Sequence, residues 1–196
     1  MIDMGDYIDM RKDVQDAYVT EYGVKLTFMS ALMKASVAAL KEQPIINAVI
    51  DDTDIVYRDF IDINTAVSLP CGIVKPVLRN VQDFGGFADF ERRLDELAYK
   101  AREGNLTQED QADGTFMIRK LGDDFRYSKL GNSIKKKPQN SILCMYTSGV
   151  RPIVKGDKIL SRHVMDVTLT YDQRIIDKRE AVIFLRRIKE CVEDPK

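Results

Sequence analysis

Residues 159–192 constrain the fold more than any other part of this chain. Met165, Val167, Leu169 and Tyr171 fall on one side, and Asp166, Thr168 and Thr170 on the other. That is the two-residue period of a half-buried strand. After the turn residue Asp172, the period changes. Ala181, Phe184, Leu185, Ile188 and Val192 share one face of a helix over residues 179–192. A strand that runs directly into an amphipathic helix can bury both apolar faces by laying the helix on its own sheet.

Upstream, residues 6–22 read as a helix with Ile8, Val14, Ala17 and Tyr18 on an approximate stripe. A second helix is predicted over 27–42, capped by Thr27 and stopped by Pro44. Phe28, Ala31, Leu32, Ala35, Val37, Ala38 and Leu40 cover more than one of its faces, which predicts burial, with Met29 and Met33 in the core. A third helix over 87–102 closes at Gly104. Strands are predicted over 45–50, 55–57, 61–69, 115–118 and 142–147. Residues 122–139 lack periodicity and read as a long loop. Strict strand–helix alternation fails in the second half, so the order predicts one α+β domain with a mixed sheet over 1–196.

A formal net charge of −1 gives no electrostatic case for nucleic acid or an anionic membrane as partner. Lys135-Lys136-Lys137 is the one basic run, read as a solvated loop or a docking element. Cys71, Cys144 and Cys191 are scattered and have neither metal-ligand nor disulfide-framework spacing, so no metal is expected and a reducing compartment is the easier reading. No apolar run reaches the length of a membrane span, so no membrane insertion is expected. The acidic opening Met1-Ile2-Asp3-Met4-Gly5-Asp6 is unlike a signal or transit peptide.

Tyr171-Asp172-Gln173-Arg174-Ile175-Ile176-Asp177-Lys178 resembles the signature of the 2-oxo acid dehydrogenase acyltransferases, in which a strand ends in Asp-His-Arg-x-x-Asp-Gly and a helix follows. The resemblance extends over nearly the whole chain. Gln43-Pro44-Ile45-Ile46-Asn47-Ala48-Val49-Ile50, Val56-Tyr57-Arg58-Asp59-Phe60-Ile61-Asp62-Ile63 and Gly72-Ile73-Val74-Lys75-Pro76-Val77-Leu78-Arg79-Asn80 are similar to the dihydrolipoamide succinyltransferase branch. It implies a chloramphenicol-acetyltransferase-like, two-layer subunit that forms trimers with sites between subunits. In that family the signature His deprotonates coenzyme A, a hydroxyl of the adjacent subunit stabilises the oxyanion, and a lipoyl arm brings the acyl group.

Both functional positions depart from the family pattern. The His position holds Gln173, which has no titratable nitrogen. The hydroxyl position of the Gly-Thr-Phe-Thr-Ile-Ser/Thr stretch holds Arg119 in Gly114-Thr115-Phe116-Met117-Ile118-Arg119. Losing a general base costs about 10²–10⁴ in rate, and losing an oxyanion donor about 10²–10³. Gln173 reads as a neutral filler of a dead site, the alternative being that another group serves as base. His163, the single histidine, reads as a surface or strand-end residue. Asp177, the signature aspartate, is expected to pair with Arg174 and hold the turn. Arg119 is expected to fill or cap the old site, with a residual anion-binding role as the alternative.

The expectation is therefore a catalytically degenerate subunit with a structural role in a larger, mitochondrial-matrix assembly, as homotrimer or mixed trimer. No cofactor is expected, or coenzyme A and a lipoyl group if activity is retained. Two alternatives are an acyltransferase with unusual site chemistry and a sensor that keeps an acyl or coenzyme A pocket. The resemblance also implies a domain short at its N-terminus, without a lipoyl domain. Lys196 after Glu193-Asp194-Pro195, where the family has an apolar tail, implies a trimer that builds no cubic core.

Overall fold

A computed structural model describes residues 1–70, 72–121 and 139–194. The loop expected at 122–139, except Gln139, lies outside them, as do Lys135-Lys136-Lys137, Cys71 and Pro195-Lys196. The elements run β1 (Ile2–Asp3), α1 (Gly5–Tyr22), α2 (Phe28–Glu42), a 3-10 turn (Pro44–Asn47), β2 (Val49–Asp51) and β3 (Asp54–Val56). Then come β4 (Ile63–Thr65), β5 (Val67–Leu69), β6 (Gly72–Val74), β7 (Val77–Leu78) and α3 (Phe87–Arg102). The remainder is β8 (Phe116–Lys120), β9 (Ser141–Met145), β10 (Gly149–Lys155), β11 (Lys158–Met165), β12 (Val167–Tyr171) and α4 (Lys178–Glu193).

The central sheet has the order β12-β9-β8-β4-β7. β8 is parallel to both β4 and β9, while β12 and β7 run antiparallel at the edges. The sheet is mixed, as expected. One face packs under the helices: Ile63, Phe116, Ile118 and Leu143 join Leu40 of α2, Leu97 of α3 and Phe184 of α4 in one core. Phe116 meets Phe184 edge-on at 5.8 Å. The other face carries a separate small cluster of Met117, Ile142, Cys144, Leu121 and Tyr146. The two-layer α+β arrangement is thus the one read from the sequence.

All four helices form where predicted. Thr27 caps α2 by accepting from the Met29 N–H at 3.2 Å, and Gly104 adopts φ +72° after α3. Met33 is fully buried and Met29 packs on the core. The strands differ more. Residues 45–50 are not one strand: Pro44 starts a 3-10 turn that buries Ile46, and pairing begins only at Val49. A short apolar run has no period that separates a strand from a buried turn. Residues 61–69 divide into β4 and β5, which belong to different sheets. Likewise the alternation over 159–171 spans two strands. β11 pairs with β10 and β1, and the chain changes sheet at Asp166. Alternation continues across that corner, so the switch leaves no trace in the pattern.

Candidate functional site

The signature forms the corner between β12 and α4. The Asp172 N–H donates to the Asn140 carbonyl at 2.9 Å, tying the strand end to the start of β9. The Asp172 carbonyl accepts from the N–H groups of Ile175 (3.3 Å) and Ile176 (3.0 Å), closing the turn, and the Ile176 side chain is buried beneath it. Asp172 Oδ1 accepts from the Arg174 N–H and Nε, both at 3.1 Å, and Oδ2 from Nη2 at 2.8 Å.

Arg174 therefore pairs with Asp172, not with Asp177 as expected. Asp177 is engaged elsewhere as the N-cap of α4. Its Oδ1 accepts from the Glu180 N–H at 2.7 Å, and Glu180 Oε2 accepts from the Asp177 N–H at 2.9 Å. This reciprocal capping box satisfies two backbone donors that a helix start otherwise leaves open. Arg174, two residues from Asp172, closes a shorter loop than a pairing with Asp177 would.

Gln173 sits at the outer point of this corner, exposed. A primary amide neither takes nor gives a proton near neutral pH. His163 lies on β11, outside the central sheet, with an exposed side chain, and its carbonyl accepts from the Met4 N–H at 2.8 Å. It is the surface residue expected. Among the described residues, no cluster of His, Cys, Asp or Glu could hold a metal ion.

Arg119 is half-buried near the end of β8. Its register partner on β9 is Cys144, whose partner on β12 is Thr168. Gln173 lies five positions beyond Thr168 and two strands away from Arg119, so the two Cα atoms are roughly 15–20 Å apart by strand geometry. One chain therefore does not bring the two family catalytic positions together.

A buried polar cluster not anticipated from the sequence ties β4 to the chain segments that lead into β8 and β9. Asn64 Oδ1 accepts from the Gly114 N–H at 2.6 Å and from Gln139 Nε2 at 2.5 Å. The Ser141 hydroxyl donates to the Ile46 carbonyl at 3.0 Å, and Asn140 Nδ2 donates to the Ala48 carbonyl. Gly114 is needed here, because a Cβ would lie 2.7 Å from the Asp62 carbonyl oxygen and 2.8 Å from Asn64 Oδ1. An asparagine inside an apolar strand and three polar residues before Ile142 were the available signals.

A second missed group is Glu91 of α3, 4% exposed, which accepts from the Thr27 N–H at 2.6 Å at the start of α2. Burial raises its pKa above the ordinary carboxylate value, against the hydrogen bonds from Ser30 and Thr27. A groove of about 670 Å³ in the helical layer is lined by Lys34, Ala35, Phe87, Arg187 and Cys191, among others. None of Gln173, Asp177 and Arg119 lines it.

A family model of the 2-oxoacid dehydrogenases acyltransferase (catalytic domain) matches residues 1–196. The succinyltransferase component of the mitochondrial 2-oxoglutarate dehydrogenase complex of Sus scrofa is 50% identical over 197 residues, covering 100% of this chain and 43% of the relative. The corresponding component from Escherichia coli is 43% identical over 194 residues, covering 99% and 47%. The chain thus spans less than half the length of these curated relatives. Among solved structures, the dihydrolipoamide acetyltransferase of Azotobacter vinelandii, studied for the catalytic roles of a serine, a histidine and an asparagine, aligns with TM-score 0.88 at 27% identity, covering 98% of this chain and 79% of that one. The cubic core of a pyruvate dehydrogenase multienzyme complex aligns with TM-score 0.87 at 27% identity, covering 98% and 79%. Chloramphenicol acetyltransferase shares the fold, with TM-score 0.60 at 17% identity over 97% and 85%. Sequence and architecture agree: the chain belongs to the 2-oxoacid dehydrogenase acyltransferase (catalytic domain) family and is similar to its dihydrolipoamide succinyltransferases.

Proposed function

We propose that this chain is a catalytically silent succinyltransferase-like subunit with an assembly role in a 2-oxo acid dehydrogenase type of complex. The carrying observation is Gln173 at the point of the signature corner, with an amide where the family has an imidazole, beside a second departure at Lys178, where the signature has Gly. Without a base, a thiol with pKa of about 8.5 stays mostly protonated at neutral pH. Arg119 removes the hydroxyl that would stabilise the tetrahedral oxyanion. Charge alone does not replace it, since an oxyanion hole depends on donors fixed at one position.

The separation of Gln173 and Arg119 within one chain supports a site built between subunits, hence a homotrimer or a mixed trimer with active relatives. In a mixed trimer, one copy of this chain would disable both sites it borders, because it supplies neither base nor hydroxyl. Relatives that are components of multienzyme complexes support membership of a larger assembly, and the mitochondrial relatives among them support the mitochondrial matrix. No cofactor is needed for this role.

The test is a succinyl-transfer assay between dihydrolipoamide and coenzyme A, with an active relative assayed alongside. The expected result is no detectable product. Turnover within about tenfold of the common enzyme range, near 10 s⁻¹, would refute the proposal and favour an acyltransferase with a different base.

A further inference from the structure

The groove of about 670 Å³ in the helical layer lies apart from the signature corner and plays no part in the function proposed above. Its shape follows from small side chains. Ala31, Lys34, Ala35 and Ala38 recur at three- and four-residue spacing and so share one face of α2. Arg187, Glu190 and Cys191 do the same near the end of α4. Where the two helices meet, the alanines leave open the space that larger residues would fill, and Phe87 at the start of α3 lines it too. The volume falls in the range of small-molecule sites, about 300–1,000 Å³.

The floor is apolar, with Ala31, Ala35 and Val192 buried. Burial raises the Cys191 thiol above its ordinary value, so Cys191 lines the groove as a neutral group and not as a thiolate. The charges at the rim are unequally engaged. Glu190 accepts from Arg186 Nε at 2.9 Å. Glu193 accepts from the Asp3 N–H at 2.7 Å and pairs with Lys189. Arg187 Nη2 pairs with Glu42 Oε1 at 2.8 Å, and Asp194 is exposed at the helix end. Lys34 differs from all of these. Its ammonium lies 4.3 Å from the Phe87 ring centroid and enters no ion pair among the described residues. A half-buried cation of this kind, beside acids already engaged, is the complement of one added anionic group.

We propose that this groove binds an unbranched aliphatic monocarboxylate, its chain over the α2 alanines and Val192 and its carboxylate on Lys34. The alanine floor from Ala31 to Ala38 runs two helical turns, roughly 10 Å along the axis, close to the length of extended octanoate. A second carboxylate at the far end would meet Glu193 and Asp194, so the ligand carries one. None of Gln173, Asp177 and Arg119 lines the groove, so binding here is independent of whether the signature corner is silent.

Octanoate, titrated into the whole chain by calorimetry below its micelle-forming concentration, tests this. Binding should saturate at one site and should slow alkylation of Cys191 by N-ethylmaleimide, followed by peptide mass. Shortening the probe to hexanoate should weaken binding about fourfold per methylene removed. Lys34→Gln should weaken octanoate about tenfold and leave the weaker binding of 1-octanol unchanged. Ala38→Leu, at a half-buried helical position that leucine suits, should keep the circular dichroism of the parent and abolish binding of both. No saturable binding and no protection of Cys191 at millimolar octanoate overturns the site. Octanoate and 1-octanol bound equally by the parent and by Lys34→Gln overturns carboxylate recognition. Unchanged affinity in a folded Ala38→Leu variant puts the ligand elsewhere and overturns the groove.

Discussion

The starts of α4 and α2 solve one physical problem in opposite ways. A helix start leaves backbone donors open, and an acidic group near it stabilises the exposed N–H groups. At α4 the carboxylates are local: Asp177 and Glu180 satisfy each other's backbone N–H within one turn, in contact with water. At α2 the carboxylate comes from another helix, 64 residues along the chain, where the buried Glu91 accepts from the N–H of the half-buried Thr27. The local corner holds Gln173, the residue on which the proposed loss of activity rests, within a fully bonded frame. The remote clamp carries no chemistry and joins two helices of the core. Framing residues and reacting residues are therefore separable, since Asp172, Arg174 and Asp177 are all bonded without any imidazole to orient.

The largest effect that could break this comparison concerns activity. If the corner is a frame without a base, Gln173→His should return the missing nitrogen but not the rate. Arg119 would still hold the hydroxyl position, so the variant should remain about 10²–10³ below an active relative in the same succinyl-transfer assay. Full recovery from the single change would mean that Arg119 serves as oxyanion donor, and that only one of the two positions is lost.

Stability should rank the two helix starts. Glu91→Ala removes the partner of the half-buried Thr27 N–H, for a loss of about 1–3 kcal/mol in urea unfolding. Asp177→Ala removes a solvated cap and should cost about 1 kcal/mol. Asp177→Asn, which keeps the accepting oxygen, should recover most of that. If Asp177→Ala proved the more damaging, the signature corner would be bearing core load that its exposure does not reveal.

The same contrast explains what the sequence disclosed. The α4 start was legible because strand, turn and amphipathic helix follow one another, whereas the capping role of Asp177 and Glu180 was not read. The pairing of Arg174 was misassigned, because Asp172 and Asp177 are both near in sequence and only geometry shows which is occupied. Glu91 lies in a helix rich in charges, and nothing in its neighbourhood marks it as the one that turns inward. The strand division at Asp166 was hidden by unbroken alternation, and the break between β4 and β5 falls at Ala66 with no Gly or Pro to mark it. Gln173 and Arg119 were legible as departures from a family pattern, but their separation in one chain required the register of β8, β9 and β12.

The smallest effect is a pH dependence, and it isolates Glu91 from the many exposed carboxylates. Burial raises its folded-state pKa above the ordinary value of 4.5. A folded state that binds the proton more tightly than the unfolded state is favoured as pH falls. The contribution from Glu91 is thus fully present below the unfolded pKa and is lost as pH rises through the folded pKa. Glu91→Gln keeps an oxygen for the Thr27 N–H and does not titrate. Measured against that variant from pH 4 to pH 8, the parent should lose stability as pH rises. Parent and Glu91→Gln curves that run parallel over the whole range would show that the Thr27 and Ser30 hydrogen bonds fully offset burial.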